Sequence, residues 1–143
     1  MKKLVSIAAI ALFAMTAANA TTLIQKQDDI CSAISPNGNG SPGAEFASSH
    51  DRHIAELWYN GAIGNGLSGG FSALVGGNLM KAPLINSHCN RNTGHVLLNW
   101  NTPGFTGTME GDIDVADSKI TNVTGNINGN PISADMNFVG YIS

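Results

Sequence analysis

From Phe105 onward the sequence alternates. Phe105, Gly107, Met109, Gly111, Ile113 and Val115 share one face of an extended chain, and Thr106, Thr108, Glu110, Asp112 and Asp114 share the other. Successive side chains take opposite sides only along a strand, so this period of two argues against a helix and for a half-buried sheet. The alternation returns through Val123, Gly125 and Ile127, and again through Ile132, Ala134, Met136, Phe138, Gly140 and Ile142. Val96, Leu98 and Trp100 suggest a strand before them. Breakers fall between, at 101–104, 117–119 and 128–131. Four strands joined by short turns predict an antiparallel meander.

Turn lengths then set the register. A three-residue turn at Asp117, Ser118 and Lys119 places Gly111 opposite Gly125. A four-residue turn from Asn128 to Pro131 places Gly125 opposite Ala134. The covered face would carry a trough at Gly111, Gly125 and Ala134, filled by a closely packed helix (44–60 the first choice) or by a ligand.

Ahead of the meander the spacing is helical. Leu23, Ile24, Gln27, Ile30, Cys31 and Ile34 lie three or four apart, as do Ala47, His50, Ile54, Leu57 and Trp58, with Gly61 as a stop signal. Residues 35–43, SPNGNGSPG, read as a loop. Residues 57–80 carry no charge. Their small-residue rows, Gly66 with Gly70 and Gly69 with Ala73 and Gly77, resemble those that let helices approach in lipid. Each glycine costs a helix about 1 kcal/mol relative to alanine, which favours a glycine-rich loop with a buried turn at 71–75. The expected fold is α+β: N-terminal helices packed on a C-terminal four-stranded antiparallel meander. The alternative is a small β-barrel in which residues from Ala44 onward also supply strands.

Residues 1–20, MKKLVSIAAIALFAMTAANA, have a basic start, an apolar stretch and an Ala18-Asn19-Ala20 cleavage site. This is the pattern of a bacterial signal peptide. No cysteine follows the site, so the expected product is not a lipoprotein. The expected organisation is a signal peptide at 1–20 and one exported domain at 21–143, bound for the periplasm or the medium. Within that domain, 21–91 is the helical, glycine-rich part and 92–143 the meander. Loss of Lys2 and Lys3 leaves five basic against ten acidic residues, a net charge of −5. Such a surface repels phosphate, so nucleic acid is not an expected partner. Cys31 and Cys89 are the only cysteines. In an oxidising compartment they are expected to form a disulfide closing a loop of 58 residues (89 − 31).

Chemical motifs are sparse. Gly66-Leu67-Ser68-Gly69-Gly70 matches G-x-S-x-G, but a nucleophile elbow needs a large α/β sheet that a chain of this length does not offer. On a helix, His50, His53 and Glu56 would form one stripe able to ligate zinc or another transition metal, and His88 and His95 could add ligands. Glu110, Asp112 and Asp114 form an acidic row on the outer face of one strand, expected to be a solvated edge. No convergent set of titratable groups nominates catalytic residues. The chain is therefore expected to be an exported, non-catalytic binding or interaction protein with a protein or small-molecule partner, rather than an enzyme. The alternatives are a His-based metal or haem binder, and a membrane-active protein using residues 57–80.

Overall fold

Strand period governs far more of the chain than its last third. The computed structural model describes residues 23–48 and 50–143; the signal peptide expected at 1–20 lies outside the described residues. Ten strands follow one another: β1 (Gly43–Ser48), β2 (Ile54–Asn60), β3 (Gly66–Val75), β4 (Asn78–Pro83), β5 (Ser87–Cys89), β6 (His95–Thr102), β7 (Phe105–Asp114), β8 (Lys119–Ile127), β9 (Asn130–Ile132) and β10 (Met136–Ile142). Among the described residues there is no α-helix, only 3-10 turns at Cys31–Ala33 and Gly61–Ile63.

All pairings are antiparallel, and the sheet closes on itself. β4 and β5 act as one broken stave. Both pair with β3, through Gly70–Pro83 and Leu67–Ser87, and the one-residue register change between them falls near Asn86, whose φ is +46°. β9 and β10 form a second broken stave against β8, through Gly125–Ile132 and Ile120–Met136. Counted this way the wall has eight staves in chain order, and β10 pairs with β1 to complete the ring.

The α+β expectation is thus overturned, and the chain builds the small barrel given as its alternative. Residues 44–60 are β1 and β2 rather than a helix. Ala44, Phe46, Ala55, Leu57 and Tyr59 point into the barrel, while Glu45, Glu56 and Trp58 are only partly buried on the outside. The apolar residues of this segment carry both periods. Extended chain prevails because every backbone group then finds a partner in a closed wall, and aromatic residues such as Trp58 and Tyr59 favour strands. Residues 71–75 are the second half of β3, with Phe71 and Ala73 fully buried.

The barrel is filled by its own side chains, as eight staves allow. Phe71 stacks on Trp100 at 4.1 Å between ring centroids, and Phe105 lies 5.7 Å from Trp100. Phe46 meets Phe138 edge-on at 5.6 Å. The segment before β1 plugs one end, burying Ile24, Cys31, Ala33 and Ile34. Ile24 N–H donates to Ser118 Oγ at 2.9 Å, and Gln25 N–H to the Tyr141 hydroxyl at 3.0 Å. Cys31 and Cys89 form the expected disulfide, which fastens the plug to β5 with both residues fully buried.

The meander is present with a different register. The β7–β8 turn spans 115–118, so Ile113 faces Ile120. A bulge on β8, where Asn122 (φ +55°) and Val123 stand against the single Gly111 of β7, then sets Met109 opposite Gly125. The β8–β9 turn is two residues, Asn128 (φ +50°) and Gly129 (φ +86°), the two positive dihedrals of a type I′ hairpin turn. Gly111, Gly125 and Ala134 therefore do not line up, and among the described residues no helix crosses them. A Cβ on Gly111 would sit 2.8 Å from Ile120 Cγ2, and one on Gly125 would sit 2.1 Å from the Thr108 carbonyl oxygen. Neighbouring strands occupy the space where a trough was expected. Ala134 falls in the break between β9 and β10.

Candidate functional site

The plug closes the end that carries the connections at 61–65, 90–94 and 115–118. At the opposite end a hollow of about 400 Å³ opens between staves. Three pieces of chain shape it: the β1–β2 loop with Asp51 and His53, the end of β3 with Leu74, Val75 and Gly76, and the β8–β9 hairpin with Ile127, Asn128, Asn130, Pro131 and Ile132. The gap has a local cause. β9 stays on β8 while β10, beyond the break at Ser133–Asp135, pairs with β1, so the wall parts towards this end.

His53 is the most enclosed polar group in the hollow. Its side chain is 12% exposed, and its ring lies 5.9 Å from that of Phe71. Burial lowers its pKa, against the opposing pull of the Asp51 carboxylate 4.0 Å away. The imidazole is therefore neutral near pH 7, with one nitrogen donating and the other accepting. Asp51 is 43% exposed and keeps its carboxylate at the rim. Asn130 adds a polar side chain, the Asn128 amide is taken up by Thr106 N–H at 2.9 Å and the Gly104 carbonyl at 3.0 Å, and Leu74, Val75, Ile127 and Ile132 add apolar surface. Trp100 lies one layer below, against Gly107, whose cross-strand partner is Ile127. Its indole Nε1 is buried without a hydrogen-bond partner among the described residues.

The expected metal stripe is dispersed. His50 lies exposed in the loop, His53 turns in towards Phe71, and Glu56 points outward, where it accepts from Lys81 Nζ at 2.9 Å. The stripe existed only in helical spacing. In an extended chain, positions three apart fall on opposite faces. Among the described residues no group of three His, Cys, Asp or Glu side chains is placed to hold a metal ion. Ser68 of the G-x-S-x-G match lies exposed on β3. Residues 57–80 form strands and turns, and no described helix is long and apolar enough to cross a membrane.

Two polar clusters escaped the sequence argument. His95 on β6 sits between two members of the acidic row, Nδ1 at 2.9 Å from Asp112 and Nε2 at 2.8 Å from Glu110. Hydrogen bonds that the ring donates to Asp112 and then to Glu110 raise the His95 pKa, while those that Asp112 accepts from His95 and Asn122 lower its own. The row is thus a clamp between paired strands, not a sheet edge. Register alone could have revealed it, since His95 pairs directly with Asp112. Beside the plug, a polar hollow of about 430 Å³ is lined by Asp28, Asp29, Asn65, Asn90, Arg91 and Asn92. Asp29 there accepts from Cys31 N–H at 3.1 Å and pairs with Arg91 at 3.2 Å, so its carboxylate is committed to holding the plug.

The geometry defines an antiparallel barrel of eight staves, plugged and cross-linked at one end and hollowed at the other. No family model, curated protein or solved structure matches the chain.

Proposed function

We propose that the chain is an exported, non-catalytic binding protein that takes a small, partly apolar molecule into the hollow opposite the plug. The observation that carries this reading is the hollow itself. Apolar walls from two hairpins converge with a neutral histidine, a carboxylate and the polar Asn130, the mixture that binding sites use to gain affinity and fix orientation. The filled barrel beneath restricts the ligand to the rim. The disulfide supports an oxidising compartment, and the signal-like start supports export to the periplasm or medium. Fragment screening of 15N-labelled protein by amide correlation spectra tests the site. Shifts should concentrate at 51–53, 74–76 and 127–132. Shifts confined to the plug end, or none from a diverse library, would overturn the assignment. Intact-mass analysis of the exported fraction should show a chain beginning at Thr21.

A further inference from the structure

We infer that the hollow selects small organic cations, an amine carried on a short apolar tail. This rests on the proposed function and narrows it. Asp51 and His53 are the two ionisable residues lining the hollow, and the next residue, Arg52, is not part of the lining. The enclosed histidine contributes no charge near neutrality, so the Asp51 carboxylate sets the sign of the site. Among the described residues the Asp51 carboxylate has His53 Nδ1 as its ionic neighbour, at 4.0 Å, beyond hydrogen-bond length, and its side chain is 43% exposed to an incoming donor. An ammonium group offers three donors and no acceptor, which suits the Asp51 carboxylate, with Asn130 on the facing hairpin as a second polar lining residue. The tail would lie along Leu74, Val75, Ile127 and Ile132. It must be short, because Phe71, Trp100 and Phe105 already occupy the barrel below.

Three probes of equal length separate charge from burial: hexylamine, hexanol and hexanoate, each titrated into 15N-labelled protein at pH 7.5. Hexylamine should bind about three- to fivefold more tightly than hexanol, the range for a partly exposed ion pair, and hexanoate more weakly than either. Asp51→Asn should bring hexylamine down to the level of hexanol without changing hexanol itself. Asp51 lies in an exposed loop and its backbone N–H bonds to Ser48 Oγ, so this change leaves the turn in place. Asn130→Asp, at an exposed position, should strengthen hexylamine binding. Equal affinity for hexylamine and hexanol, or preference for hexanoate, would overturn cation selection while leaving the hollow as a binding site. Failure of all three probes alongside productive fragments would also overturn it. Failure of probes and fragments together would remove the proposed function as well.

Discussion

Substituting alanine at two glycines of one hairpin tests the register of the barrel wall. Gly125 on β8 and Gly129 in the β8–β9 turn both have positive φ, +155° and +86°. Alanine in such a conformation costs about 1–3 kcal/mol at either site. Their surroundings differ. A Cβ on Gly129 meets nothing within 4 Å, whereas one on Gly125 would lie 2.1 Å from the Thr108 carbonyl oxygen and 2.8 Å from Met109 Cα. Both obstacles are backbone, so relief requires β7 and β8 to separate. Overpacking of this kind costs about a further 1–3 kcal/mol. Gly125→Ala should therefore be less stable than Gly129→Ala by about 2 kcal/mol. With a urea slope of about 1.5 kcal/mol/M, the midpoints would differ by about 1.3 M. Thr124→Val, at an exposed position on the same strand, should be close to neutral. Equal midpoints for the two glycine variants would mean that Gly125 does not face Met109, and the β7–β8 register would be wrong.

Replacing both cysteines by alanine should cost about 4 kcal/mol, the chain-entropy value for a 58-residue loop, read from urea midpoints of oxidised protein. Phe71→Ala removes a fully buried ring stacked on Trp100 and should cost about 3–5 kcal/mol, while the Trp100 fluorescence, isolated by Trp58→Phe, shifts towards that of a wetter indole. The His95 clamp should be pH dependent. Its folded pKa is raised, so its stabilisation is fully present below the unfolded value near 6.5 and is lost as pH rises through the folded pKa; the lowered pKa of Asp112 removes the partner charge as pH falls through its own folded value. All three side chains are more than 40% exposed, so His95→Gln should lose under about 1 kcal/mol at pH 5.5 and nothing measurable at pH 9 by urea unfolding.

The C-terminal strands were legible because one period dominates there, and the cysteine pairing because the chain offers a single choice. Residues 44–60 were not, because Ile54, Leu57 and Trp58 satisfy a helical spacing while Ala55, Leu57 and Tyr59 satisfy a strand, and only closure of the wall decides between them. The β8–β9 turn was readable in principle. Asn128-Gly129 is the strongest short hairpin signal, but Pro131 suggested a longer turn. Pro131 in fact lies on β9, which pairs only with β8, so its missing N–H costs no ladder bond there. Of the hollow, His53 drew notice for a metal stripe that strand geometry separates. Ile127 and Ile132 counted only towards the strand alternation and Asn130 only towards a turn, since their convergence on Asp51 depends on the parting of β9 from β1.

Closure by β1 against β10 makes the ring's last seam also its longest-range one, joining Gly43 to Ile142 and Ser48 to Met136. Every other neighbouring pair of staves is consecutive in the chain and can zip as a local hairpin. A chain that emerges N-terminus first can therefore assemble most of a curved sheet while β1 and β8 still expose unpaired edges, and it cannot hide them until β10 arrives. That interval is when two copies could exchange their final strands, each completing the other's ring. The quantity that governs clean folding is thus the time between the appearance of β8 and the docking of β10, and crowding during that interval should yield strand-swapped dimers rather than monomers with a misformed core.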